Sequence, residues 1–177
     1  MIHTILIGLA LAAAVAVMPS TGDAQAAKPD VQPNTQAFLK KAAEEQQAQI
    51  VLGQLAAKQA KNTRVKNFGD EMVIVHRTVN FQLRELATPR GVQLPLEPDD
   101  EHKRVQKELS QLSGHAFDRA YMQQILGDHQ NDVNEFEESM QRVDDAEVLR
   151  WAHKTLPMLR AHIEDARWIL QSLQTNP

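Results

Sequence analysis

The sequence predicts an all-α protein: an antiparallel four-helix bundle, with one extra short helix in the crossover between long helices 2 and 3. Three observations carry this expectation. Small and apolar residues recur every three or four positions through four stretches of about 25 residues, the period of an α-helix with one buried face. Residues that favour helices dominate the composition, glycine occurs only 7 times and aromatic residues make up 5%. No alternating apolar run is long enough to form a strand. Helices of this length span about 38 Å at 1.5 Å per residue, which suits a bundle of four rods.

Each element has its own local signals. Asn34 or Thr35 can cap a first helix from about Gln36 to Asn62. Asn62 and Thr63 stop it and open a second, which Pro89 and Gly91 end. Asp99 or Asp100 caps the short helix, which runs to about Leu112. Ser113-Gly114 breaks the chain before a long third helix to about Arg142. Asp144 or Asp145 then caps the last. Pro157 lies inside that helix and cannot donate to the carbonyl four residues back, so a kink is expected there rather than a stop.

The first 26 residues read as a signal peptide. Ile5 to Met18 is an apolar run too short to span a bilayer, and Ala24-Gln25-Ala26 follows as a cleavage pattern. The segment before that run has no Lys or Arg, so retention as an N-terminal anchor is the alternative. Residues 27–35 read as a polar linker and 36–174 as the helical domain. The expected location is the periplasm or cell envelope, with no transmembrane span in the mature chain.

Composition excludes several classes of function. With no cysteine, the 177-residue chain has no disulfide, thiolate metal site, thiol nucleophile or lipidated cysteine. A net charge of −4 with interspersed signs gives no footprint for nucleic acid. No phosphate loop, nucleophile elbow or H-E-x-x-H occurs.

The informative feature is polar residues on apolar faces. In "FDRAYMQQILGDHQNDVNEF", residues 117–136, His129 and Asp132 project among Phe117, Tyr121, Ile125 and Phe136, with Asp128 nearer the edge. His76 falls in the apolar arc of the second helix, His162 in that of the last, and Glu45, Gln46 and Gln49 on the inner side of the first. Unpaired buried polar groups cost roughly 1–3 kcal/mol each, so this set must satisfy itself. One reading is a hydrogen-bonded core in which the three histidines pair with Asp128 or Asp132. Another is a metal centre, with His76, His129 and His162 as nitrogen ligands, Asp128, Asp132 and Glu45 as oxygen ligands, and Fe, Zn or Cu as the ion; a third is that these groups simply reach the surface. The Glu-x-x-His pairs of carboxylate-bridged di-iron bundles are missing, because only His102 has an acid three residues before it, Asp99. That histidine and His153 lie on polar faces and are assigned no role.

Three segments, "FLKKAAEEQQAQIVLGQLAAKQAKNTRVKNFGDEMVIVH", "LSQLSGHAFDRAYMQQILGDHQNDVNEF" and "LRWAHKTLPMLRAHIEDA", carry a resemblance. "FDRAY" followed by "DH", then "LP" with a histidine five residues after the proline, is similar to the exported bacterial ferritin-like family described as domain of unknown function 4142. Its members are often labelled predicted outer membrane proteins, a label that this sequence, with no barrel strands, matches poorly. The resemblance implies a ferritin-like four-helix fold in the cell envelope without an established activity. It also implies a depleted ligand set, since relatives usually carry Glu at the place of Gln49 and Asp at that of Val75. Asp128, His129 and His162 are retained. The function expected from the sequence is therefore a non-enzymatic envelope protein in maintenance or stress, acting through an unidentified protein partner. A metal-binding or metal-oxidising bundle is the alternative.

Overall fold

Five α-helices account for the regular structure of residues 31–175, the part of the chain that the computed structural model describes. They are α1 (Pro33–Gln59), α2 (Thr63–Ala87), α3 (Asp100–Ser110), α4 (Gly114–Met140) and α5 (Ala146–Thr175). No strand occurs among the described residues. The leader read over residues 1–26 and the first part of the linker lie outside them.

The boundaries follow capping chemistry. Helix α1 begins at Pro33, three residues before the sequence expectation, because proline at N1 needs no backbone donor; neither Asn34 nor Thr35 caps it. Asn62 caps α2 by accepting from the Arg64 N–H at 2.9 Å. Asp99 caps α3 through the His102 N–H at 2.9 Å, and Asp145 accepts from the N–H groups of Glu147 and Val148 at the start of α5. Gly91 and Gly114 take φ of 66° and 59°, where a Cβ would be strained. Helix α5 continues through Pro157, as its unbroken apolar period requires.

Helix α1 packs chiefly on α2 and α4 on α5, with α1–α4 and α2–α5 contacts joining the two hairpins, while α3 touches α1 and α4. The α1–α2 approach is close. A Cβ on Gly53 would sit 2.8 Å from the Gly69 carbonyl oxygen, and one on Gly69 2.7 Å from the Cβ of Ala56. Asp118, fully buried on α4, ties this hairpin to the second by accepting from the backbone N–H groups of Lys61 and Asn62, both at 2.9 Å. Arg90 closes the opposite end with a two-pronged contact to Asp145 at 2.7 and 2.8 Å.

The apolar interior forms two clusters. One contains Phe38, Leu83, Phe136 and Trp151; the other contains Leu52, Phe68, Met72, Phe117 and Ile125. Along each long helix buried polar residues lie between these clusters, among them Gln46 and Gln49, His76, His129 and Asp132, and His162. That layer is where the candidate site lies.

Candidate metal centre

His76, His129 and His162 are 1%, 0% and 3% exposed, and they meet. Their ring centroids stand 5.5, 5.4 and 5.1 Å apart, and each ring offers one nitrogen within 4.8 Å of the other two. Their tautomers follow from their partners. The Ile125 carbonyl, 3.1 Å from His129 Nδ1, can only accept, so Nδ1 carries the proton and Nε2 a lone pair. His162 Nδ1 therefore donates to that Nε2 across 3.1 Å. His76 Nδ1 donates to Gln46 Oε1 at 2.8 Å, which leaves His76 Nε2 as a second buried lone pair, and no hydrogen bond reaches it.

All three rings are held neutral. Burial lowers His76 far below the usual histidine range, and the neighbouring rings of His129 and His162 lower it further. Burial, with His162 beside it, pushes His129 down to about 3, against a weaker opposing effect of the Ile125 carbonyl. Burial also lowers His162, and Asp165 partly offsets this. Neutral imidazoles with fixed tautomers and outer hydrogen-bond partners are what a metal ligand set requires.

The carboxylates do not join them. Neither Asp128 nor Asp132 bonds any of the three histidines, whose partners are Gln46, the Ile125 carbonyl and one another. The aspartate pairing expected of a hydrogen-bonded core does not form, although the histidines do bond Gln46, the Ile125 carbonyl and one another, and the expected six ligand candidates fall into two groups. Asp128, Asp132 and Glu45 instead line a recess of about 130 Å³ that Lys41 and His102 also border. Asp132 and Asp128 neighbour His129 in sequence but point off its axis, toward the side that α3 covers.

His102 is the residue the sequence reading missed. Only 8% exposed, it places Nδ1 2.8 Å from Asp99 Oδ1 and Nε2 3.4 Å from Glu45 Oε2. The acid three residues before it is visible in the sequence but discounted there, because the ring projects on the polar face of a short helix; Asp99 positions that ring as well as capping the helix. Burial pushes the Asp132 carboxyl well above the usual range, and Glu45, Asp128 and Glu135 add to this. Burial raises Asp128 too, against the pull of His102 and Gln124. Burial alone would lower the Lys41 ammonium, but its contact with Glu45 at 2.6 Å, with Glu135 and Asp99 near, raises it instead.

Comparison with known proteins bears on fold and family. A crystal structure of a DUF305 fragment from Deinococcus radiodurans superposes with a TM-score of 0.72 at 17% identity, covering 81% of this chain and 99% of that one. At that identity the likeness concerns the helical fold. No curated protein matches the chain. No described helix is long and apolar enough to cross a membrane. The family model described as Domain of unknown function (DUF4142) matches residues 20–169, so the chain, helical throughout its described domain, belongs to that family.

Proposed function

We propose that this protein is an exported helical bundle of the cell envelope that binds a transition metal through His76, His129 and His162, without enzymatic turnover. The proposed arrangement is the antiparallel, ferritin-like four-helix bundle, with α3 in the crossover. Residues 1–26 would serve as the leader and the helical domain would work in the periplasm or envelope, in maintenance or stress, with an unidentified protein partner.

The observation that carries the metal reading is His76 Nε2, a buried lone pair with no partner, beside the lone pair of His129. A coordinated ion would satisfy that acceptor, and each of the three rings brings one nitrogen within 4.8 Å of the other two. The donor set fits such an ion: neutral imidazoles, each of two oriented by an outer acceptor, Gln46 or the Ile125 carbonyl. With the carboxylates apart, nitrogen donors alone suit copper or zinc better than iron. His162 would complete the set by moving its proton from Nδ1 to Nε2. Such an ion would supply a Lewis acid or, for copper, a redox centre.

Elemental analysis of the purified mature protein, expressed with iron, zinc and copper supplied, tests this reading. About one zinc or copper ion per chain is expected, and its loss in His129→Ala. Zinc and copper content well below one ion, unchanged by that substitution, would sink the metal reading and leave the histidines as a hydrogen-bonded core without the aspartates. Reproducible turnover of a redox or hydrolytic substrate would overturn the non-enzymatic part.

A further inference from the structure

The recess between α1, α3 and α4 holds an excess of buried acid that the imidazole triad does not use. Glu45, Asp99 and His102 each bring one ligand atom within 4.8 Å of the others. Asp99 Oδ1 accepts from both the backbone N–H and Nδ1 of His102, which fixes the ring and turns Nε2 toward Glu45 Oε2. At 3.4 Å that approach is longer than the roughly 2.7–2.9 Å of a charge-assisted hydrogen bond.

Two further carboxylates line the same space. Asp132, 5% exposed, makes no hydrogen bond or ion pair with any described residue. Asp128 spends one oxygen on Gln124 at 2.8 Å, and its other oxygen is buried beside Gln49 with no well-formed hydrogen bond. Lys41 is the one ammonium on the lining, and it is already bound to Glu45 Oε1. Glu101, Asn131 and Glu135, all exposed, form the rim, so the recess can be reached from water.

We propose that this recess is a second cation site, in which Glu45, Asp132 and His102 bind a divalent ion of the manganese(II) or iron(II) type. Asp128 supplies a further oxygen, and Asp99 is the positioning residue for His102. Mixed carboxylate and imidazole donors select this class over copper(I), and the recess of about 130 Å³ has room for an ion that keeps water ligands. The site shares no residue with the imidazole triad, so either can exist without the other.

Manganese(II) is the probe. The chelator-stripped mature chain is titrated with Mn(II), and free ion is followed by electron paramagnetic resonance. One saturable ion per chain is expected, bound at least about ten-fold more weakly by Asp132→Asn and by Glu45→Gln. Asp99→Asn should weaken binding to a lesser degree. His129→Gln, which removes a triad ligand, should leave Mn(II) binding within about two-fold while abolishing zinc or copper uptake at the triad. Circular dichroism verifies that each variant is folded; Asp132→Asn preserves shape and removes only a charge, and Glu45→Gln does the same on another helix. The proposal is overturned if no saturable uptake occurs below millimolar Mn(II), or if both folded acid variants bind as tightly as wild type. It is also overturned if His129→Gln abolishes uptake, because the ion then sits among the imidazoles.

Discussion

Nδ1 of His162 lies 3.1 Å from Nε2 of His129, so two rings on adjacent helices share one proton-bearing contact deep in the bundle. The third ring, His76, has no such contact at its Nε2. This asymmetry leaves one buried acceptor of the layer without a hydrogen bond, and it bears on how stability responds to acid and to metal.

Acid should unfold the metal-free protein earlier than an apolar core would. The folded-state affinities of His76, His129 and His162 for a proton are all depressed, that of His129 to about 3, against about 6.5 in the unfolded chain. Their contribution is present above that unfolded value and is lost as pH falls from about 6.5 toward 3. Asp128 and Asp132 act in the opposite sense: raised when folded, they contribute stability below about pH 3.8 that is lost as pH rises through their folded values. Urea midpoints in chelator between pH 7.5 and 4 should therefore fall with acid in wild type, fall more steeply in Asp132→Asn and flatten in His129→Gln. An Asp132→Asn midpoint that does not fall over that range would contradict buried neutral histidines.

Zinc or copper should stabilise the chelator-stripped protein by mass action, by about 2.7 kcal/mol at a hundred-fold excess over the dissociation constant. In a melting experiment the shift should vanish in His76→Gln, which keeps a polar group beside Gln46 but removes the imidazole Nε2 as a ligand. An equal shift in that variant would place the ion elsewhere.

The two helix-packing glycines should respond in the opposite direction to an exposed-side one. Gly69→Ala forces a methyl against backbone of α1 and the Ala56 side chain, and should cost about 2–4 kcal/mol. A Cβ at Gly127 meets nothing within 4 Å, so Gly127→Ala should add about 0.5–1 kcal/mol by removing unfolded-state freedom. Denaturant titrations of both variants measure the difference directly.

Asp118→Ala should be among the costlier single changes outside the histidine layer. It strands the Lys61 and Asn62 N–H groups at the α1–α2 turn and cuts the tie to α4, at about 2–4 kcal/mol. Asp118→Asn, which keeps one acceptor, should fall between. Hydrogen exchange at those two amides would show the lost protection even if the midpoint moves little.

What the sequence alone determined is what depends on near neighbours. Helix spans follow from a period of 3.6, from Asn62, Asp99 and Asp145 as caps, and from Gly91 and Gly114 at the breaks. The same period puts His76, His129 and His162 on inner faces, because burial of an apolar stripe drags along whatever shares its azimuth. Tertiary structure alone decided which polar groups meet. A helical projection gives direction about one axis and says nothing of the neighbour found there, so Asp132 and His129, about 60° apart on α4, look into different spaces. Nor does it say where a short helix docks. Covered by α1 and α4, His102 is buried despite its place on a polar face and meets Glu45, a partner 57 residues away that no local pattern could have named.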